Sequence, residues 1–132
     1  MKKTYLLLFV FALLLSGCLD KWYCFYIKNN SEQTIYACVD FVFPDTLLPI
    51  QKPYLREITP NKTGEIHGYH INDPKFERFD KEKLTIFILD KNVVDTCSWE
   101  YIRENNLILK RYEGNRSEFV EYNGGKITFN YP

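Results

Sequence analysis

The alternation of hydrophobic and polar residues downstream of residue 21 is typical of short β-strands that bury one face. Residues 22–28 and 34–43 are two such segments, and the polar run 29–33 separates them. Pairing the two segments symmetrically about Ser31 gives a hairpin in which one face is consistently apolar. The pattern therefore predicts an antiparallel hairpin at the start of the domain.

Similar patterns predict further strands along the rest of the chain. Pro44, Asp45 and Thr46 end the second strand, because proline lacks a ladder donor and Asp and Thr favour turns. Residues 83–90 are apolar on both faces apart from Thr85, as in a strand covered on two sides. The remaining predicted strands are residues 55–58, 65–70, 107–112 and 126–131.

The period of the pattern becomes helical in residues 96–105. Trp99 and Ile102 fall on one stripe of a helix, and Thr96 is positioned to be its N-cap. The sequence therefore predicts a short helix in this segment.

Residues 115–118 have the spacing of a capping box, which predicts a second helical turn over residues 117–122. Several short strands separated by turns favour a sandwich of two sheets. We therefore predict one mostly-β domain over residues 22–132, a small antiparallel sandwich with one or two short helical turns. An immunoglobulin-like arrangement of about six or seven strands is expected.

The N-terminus has the pattern of a secretory signal. A basic start at Lys2 and Lys3 precedes an unbroken apolar run over residues 5–15, which fits a signal peptide. The run is too short to span a bilayer as a helix, which needs about 20 apolar residues. Residues 1–17 are therefore predicted to be a signal peptide.

The end of this run, Leu15-Ser16-Gly17-Cys18, resembles the lipobox of bacterial lipoproteins. The resemblance implies a diacylglyceryl group on the Cys18 sulfur, cleavage after Gly17, and acylation, for example with palmitate, of the new amino terminus. Residues 18–21 would then be a lipidated tether. The alternative is a buried hydrophobic helix that ends in Ser-Gly-Cys, but it leaves the basic start and the abrupt polar change at residues 19–21 unexplained.

Charge excludes one class of partner. Removal of residues 1–17 from the 132-residue chain takes away Lys2 and Lys3 and changes the formal charge from zero to −2. Acidic and basic residues are interspersed in the remainder, whereas nucleic-acid-binding proteins carry a basic face. No nucleic-acid partner is expected.

Three cysteines remain downstream of Cys18, namely Cys24, Cys38 and Cys97. The predicted hairpin register sets Cys24 opposite Cys38, close enough to bridge in an oxidising compartment. A Cys24–Cys38 disulfide is therefore favoured. The alternatives are a Cys38–Cys97 bridge and three reduced thiols.

Motifs of catalysis are absent from the sequence. His67 and His70 are the only histidines, and their spacing in a strand places them on opposite faces, which argues against a metal site. Cys97 and Ser98 lack the sequence context of a catalytic nucleophile. We therefore expect no enzyme activity, no cofactor and no metal.

One segment has the composition of an interaction patch. Trp99, Tyr101 and Arg103 belong to the residue types that dominate protein interfaces. The alternative is that Trp99 and Ile102 pack into the core while Glu100 and Arg103 form an exposed ion pair.

Short motifs spread over residues 29–132 resemble small lipoproteins of gut-dwelling, Bacteroides-type Gram-negative bacteria, a group to which no activity is assigned. The resemblance implies a location in the cell envelope and a β-rich fold. The motifs are Asn29-Asn30-Ser31, Phe43-Pro44-Asp45-Thr46, Ser98 to Arg103, Ile108 to Tyr112 and Ile127 to Pro132.

Two details depend on this resemblance. Asp45-Thr46-Leu47 is similar to the O-glycosylation acceptor of those bacteria, which makes Thr46 a candidate glycosylation site, although an Asp-Thr turn explains the same residues. Lipoproteins displayed on their surface carry acidic residues after the lipidated cysteine, whereas Asp20 is followed by Lys21. This difference favours a periplasm-facing orientation at the outer membrane.

These observations together predict a non-enzymatic envelope lipoprotein that binds a protein or glycan partner or has a structural role. An alternative is an inhibitor or immunity protein, in which the exposed segment of residues 47–56 would block another protein's site.

Overall fold

A computed structural model describes residues 22–41, 47–70, 73–74, 82–115, 118 and 126–132, and within them the chain forms seven strands and two short helices. The strands are β1 (Trp22–Asn29), β2 (Ile35–Asp40), β3 (Arg56–Ile58), β4 (Thr63–His70), β5 (Leu84–Asp90), β6 (Lys110–Gly114) and β7 (Lys126–Tyr131). The helices, α1 (Lys91–Thr96) and α2 (Trp99–Glu104), both lie between β5 and β6.

The strands form two sheets, with the order β4-β1-β7 in the first and β3-β2-β5-β6 in the second. All of these neighbours are antiparallel except β1 and β7, which run parallel. An immunoglobulin domain keeps its first two strands in one sheet, whereas β1 and β2 lie in different sheets. The predicted sandwich is therefore confirmed, and the immunoglobulin-like arrangement is not.

The first hydrophobic core lies between the two sheets. Alternate residues of β1 and β2 point into it, as the period of two in a strand requires. Burial of these side chains is the main force that holds the sheets together. The core residues are Phe25, Ile27, Ile35, Ala37, Ile58, Ile66, Leu84, Ile86, Ile88 and Ile127.

A second core covers the opposite face of the second sheet. There α1, α2 and the segment around Leu48 pack on β2 and β5, through Cys38, Leu48, Phe87, Leu89, Val94 and Ile102. Because β5 contacts both cores, residues 84–89 are all buried. The prediction of a strand covered on two sides is confirmed.

The predicted hairpin between the first two strands is wrong. Phe25 and Ile27 do face Ile35 and Ala37, but across the core between the sheets and not within one sheet. Within the first sheet, β1 pairs instead with β4 and β7, which are distant in sequence. The turn at residues 29–33 therefore carries the chain from one sheet to the other.

The helical region contains one helix more than the pattern predicted. Asp90 caps α1, since its carboxylate accepts from the backbone N–H groups of Asn92 and Val93. Ser98, and not Thr96, caps α2 and accepts from the N–H of Tyr101. The predicted cap at Thr96 is wrong because α1 ends there.

The capping box is confirmed. The backbone N–H of Asn115 donates to Glu118 Oε2 at 2.8 Å, and the N–H of Glu118 donates to Asn115 Oδ1 at 3.1 Å. The rest of the predicted turn over residues 117–122 lies outside the described residues. The strand predicted at residues 107–112 begins later, at Lys110.

Candidate functional site

Residues 47–55, here named the 47–55 loop, precede β3 and lie against the helices. The loop carries the two most exposed large hydrophobic side chains of the described residues, Ile50 at 79% and Tyr54 at 74% exposure. Leu47 in the same loop and Tyr101 on α2 are also exposed. Four of the five exposed large hydrophobic residues in the described part of the chain therefore lie in this loop or on α2, and the fifth, Leu109, directly precedes β6.

The exposed loop is fixed from beneath by side chains of α2. Trp99 Nε1 donates a hydrogen bond to the Pro49 carbonyl at 2.9 Å, and Arg103 Nε donates to the Leu48 carbonyl at 2.8 Å. The Leu48 side chain is only 1% exposed and packs in the second core. Two consecutive carbonyls and one buried side chain therefore hold the backbone immediately before Ile50.

The sequence of the loop explains why it is a loop and not a strand. Pro49 and Pro53 have no N–H to donate, and each ring restricts φ to about −65°. The chain bends at Ile50 and Gln51, between the two prolines. Since Leu55 then packs against the second core, the loop is attached at both ends.

Comparisons with known proteins identify no family for this chain. No family model, curated protein or solved structure matches the chain.

The three residues of the predicted interaction patch have two different roles in the structure. Two of them support the 47–55 loop, and the third is exposed. Trp99 and Arg103 are half-buried, and their N–H groups bind the loop carbonyls. Tyr101 is 52% exposed on the same helix. The sequence identified the residue types of this region, but two of the three residues support a neighbouring loop.

A polar network connects α1 to the second sheet. Lys91 Nζ lies 2.8 Å from Asp95 Oδ2 and 3.4 Å from Glu57 Oε2, and it donates to the Tyr36 hydroxyl at 3.0 Å. The hydrogen bonds to Asp95 and Tyr36 raise the pKa of Lys91 above its ordinary value. The lysine therefore stays protonated at neutral pH, where an ammonium group is neither a nucleophile nor a base.

The predicted Cys24–Cys38 disulfide is contradicted by the fold. Because Phe25 and Ala37 point into the core between the sheets, Cys24 and Cys38 point away from that core on opposite sides. Packed sheets are about 10 Å apart, and a disulfide needs Cα atoms within about 7 Å. Both residues are free thiols, as is Cys97.

Cys38 and Cys97 belong to the same core but differ in exposure. Cys38 is 2% exposed, whereas Cys97 is half-buried at the edge of the cluster. Burial raises the pKa of the Cys38 thiol to about 12. The alternative Cys38–Cys97 bridge is not formed in the structure, and Cys38 has the environment of an unreactive core thiol.

His67 lines a shallow depression of about 290 Å³ together with Arg56, Glu65 and Ile66. The described residues contain no group of three or more side chains suited to hold a metal ion. They also contain no helix long and apolar enough to cross a membrane. Cys18 and Thr46 lie outside the described residues.

Proposed function

We propose that the chain is a lipid-anchored, non-enzymatic binding module of the bacterial cell envelope, and that it contacts a protein partner through the 47–55 loop. The observation that carries the binding role is the pair of hydrogen bonds from Trp99 and Arg103 to consecutive carbonyls of an exposed apolar loop. The lipobox at residues 15–18 supports the location.

The energetic argument for binding is preorganisation. Association has to order flexible loops, and a loop that is already fixed avoids much of that cost. The Leu48 side chain and the two clamped carbonyls fix this loop before any partner arrives. Exposed apolar side chains on a fixed support are typical of the anchors that dominate protein interfaces.

The loop is better suited to bind a protein than a glycan, which is the other partner predicted from the sequence. Ile50 and Leu47 are aliphatic and exposed, and they gain most from an apolar pocket in a partner. A structural role without a partner does not explain why residues of this kind are held outward.

The anchor determines where such a loop would act. Each buried CH₂ of an acyl chain contributes about 0.8 kcal/mol, so several chains on Cys18 hold a protein stably on a membrane. The predicted tether of residues 18–21 is short, which keeps the domain close to the membrane surface. We favour the periplasmic face of the outer membrane, because Asp20 is followed by Lys21.

Site-specific photo-crosslinking in growing cells tests the binding role. A benzophenone amino acid replaces Ile50 in one variant and Lys62, an exposed residue of the turn before β4, in the control. We expect one discrete adduct from position 50 and none from position 62. No adduct from position 50, or the same adducts from both positions, would contradict the proposal.

A further inference from the structure

We infer that the outer edge of β7, the edge away from β1, pairs with the same edge of a second copy of the chain. The two β7 strands run antiparallel and are centred on Thr128, so that the first sheet continues across a two-fold axis. The inference does not rest on the proposed function, because β7 belongs to the first sheet whereas the 47–55 loop covers the second.

The first argument is the direction of the backbone groups of β7. This strand ends the first sheet, and no described strand lies beyond it. The N–H of Asn30, directly after β1, donates to the Tyr131 carbonyl at 2.8 Å, so Tyr131 directs its backbone groups towards β1. Successive residues of a strand direct these groups to opposite sides. The residues that direct them to the outer edge are therefore Lys126, Thr128 and Asn130.

The contact between β6 and β7 agrees with this direction. The Tyr112 hydroxyl of β6 donates to the Asn130 carbonyl at 2.6 Å, which places that carbonyl on the side away from β1. In the described part of the chain, no group binds the Thr128 backbone from that side. The centre of the edge is therefore open to the backbone of another strand.

The second argument is that β7 lacks the features that protect the other edges. Natural sheets protect their edges with very short strands, charged residues, bulges or proline. β3 has three residues, β4 pairs with β1 through a bulge, and β6 has three charged residues among its five. β7 has six residues in regular register, and its one charge, Lys126, stands at the first position. Of the four edges, β7 is the one best suited to accept a strand.

The third argument is that the sequence of β7 is complementary to itself in the antiparallel direction. The register centred on Thr128 sets this residue opposite its own copy, Lys126 opposite Asn130, and Ile127 opposite Phe129. Thr–Thr and aliphatic–aromatic pairs stabilise neighbouring strands, and no two like charges face each other. Both copies contribute the same residues, as a two-fold interface requires. Parallel pairing in register would instead set Lys126 opposite Lys126.

The fourth argument is the apolar rim on the inner side of β7. Phe129 is half-buried, and its ring packs on the half-buried Tyr112 with the ring centroids 5.0 Å apart. In the proposed register, Ile127 of the second copy lies beside Phe129 and covers part of this rim. Burial of apolar surface favours the pairing.

Disulfide trapping tests the register with the full-length chain, purified in detergent and treated with oxidised glutathione, which accepts the two electrons and two protons. Facing residues of a hydrogen-bonded antiparallel pair have Cα atoms about 5.5 Å apart, within the range of a disulfide. Thr128→Cys should therefore give a disulfide-linked dimer on non-reducing gels. The variants are made in a Cys24→Ala background, because Cys24 lies opposite Lys126.

Two controls test the position of the bridge. Asn130→Cys is the register control, since the two copies of position 130 lie four residues, or about 13 Å, apart along the strands. Thr63→Cys is the edge control, since Thr63 is exposed in β4 at the opposite edge of the same sheet. We expect the dimer fraction of Thr128→Cys to exceed that of each control at least about fivefold.

The outcomes of the trapping experiment are decisive. Equal dimer fractions in the three variants, or no dimer of Thr128→Cys, would overturn the inference. A mixed disulfide of Thr128→Cys with another protein in place of the dimer would also overturn it, and would indicate a strand from a different partner.

Sedimentation equilibrium in a density-matched detergent tests the pairing without engineered cysteines. The wild type should form a dimer at about 100 μM. Thr128→Lys sets two ammonium groups opposite each other and should remove the dimer. Thr63→Lys is the matched control and should keep it. Circular dichroism checks that both variants fold, as expected for exposed positions. A monomeric wild type, or a dimer unchanged by Thr128→Lys, would overturn the inference.

Discussion

Asn29 is the polar side chain that holds the turn between the two sheets. It is fully buried, and its Nδ2 donates to the carbonyls of Gln33 at 2.8 Å and Ile58 at 3.1 Å. Its Oδ1 accepts from the backbone N–H and the hydroxyl of Ser31. One side chain therefore connects β1, the turn and the end of β3.

We predict that Asn29→Ala lowers the free energy of unfolding by about 1–3 kcal/mol, because it removes the side-chain donor to the buried Ile58 carbonyl. Urea denaturation measures the change. Asn30→Ala is the matched control: Asn30 is exposed, and its backbone bond to Tyr131 would remain. The control should change stability by less than about 0.5 kcal/mol. Equal effects of the two substitutions would contradict the role of Asn29.

Cys38 makes the stability of the folded chain depend on pH in the alkaline range. Its pKa is raised by burial from 9.0 to about 12 in the folded chain. Below pH 9 the thiol is protonated in both states, so its contribution to stability is complete. As the pH rises from 9 towards 12, the unfolded chain loses the proton first, and the folded state loses stability relative to it.

We expect this effect to reach about 1.4 kcal/mol at pH 10, one unit above the unfolded pKa. The measurement is urea denaturation at pH 8 and pH 10 for the wild type, Cys38→Ala and Cys24→Ala. Cys38→Ala should lose much of the pH dependence, and Cys24→Ala should keep most of it because Cys24 is half-exposed. Identical pH dependence in all three proteins would refute the assignment to Cys38.

At the scale of elements, α2 supports the 47–55 loop more than it forms a surface of its own. Ile102 is buried in the second core, and Trp99 packs at its edge while its indole N–H binds the loop. Removal of that N–H leaves the half-buried Pro49 carbonyl without its donor. The order of the loop is therefore coupled to one side chain of the helix.

We predict that Trp99→Phe destabilises the chain by about 1–2 kcal/mol and lowers the backbone NMR order parameters of Ile50 and Gln51. Tyr101→Phe is the matched control, since it also keeps a ring and loses only an exposed hydroxyl. The control should leave both quantities unchanged. Unchanged order parameters in Trp99→Phe would show that the loop does not depend on this bond.

The sequence predicts the positions of the strands better than it predicts which strands pair with one another. Strand positions follow from local alternation, and β5 was recognised because both of its faces are apolar. The partners of β1 were not recognised, because β4 and β7 come from residues 63–70 and 126–131 and nothing local encodes such pairings. The error in the pairing then produced the erroneous disulfide.

The sequence identified separate parts of the candidate site but not the contact that joins them. The exposed segment of residues 47–56 and the residues Trp99 and Arg103 were identified separately from composition and turn chemistry. Their connection joins Trp99 to Pro49 across 50 positions of sequence, and it exists only after α2 has packed on the second sheet. A local pattern contains no signal for a bond of that kind. The helix α1 was missed because residues 91–96 hold only one buried side chain, Val94.

At the scale of the whole molecule, the chain combines a predicted membrane anchor at one end with a layered domain. Two sheets enclose the first core, and the helices with the 47–55 loop cover the outer side of the second sheet. The function that we propose needs both parts, because the loop meets an envelope partner only if the domain is held at the membrane. Cys18 is therefore the residue on which the proposed location depends.

Metabolic labelling with a palmitate analogue measures the anchor most directly. Three proteins are compared in a bacterial host: the wild type, Cys18→Ala, and Cys24→Ala as a control for a cysteine inside the domain. We predict that the wild type and Cys24→Ala are labelled and begin at residue 18, whereas Cys18→Ala is unlabelled and keeps residues 1–17. Labelling of Cys18→Ala, or an unlabelled wild type, would contradict the account.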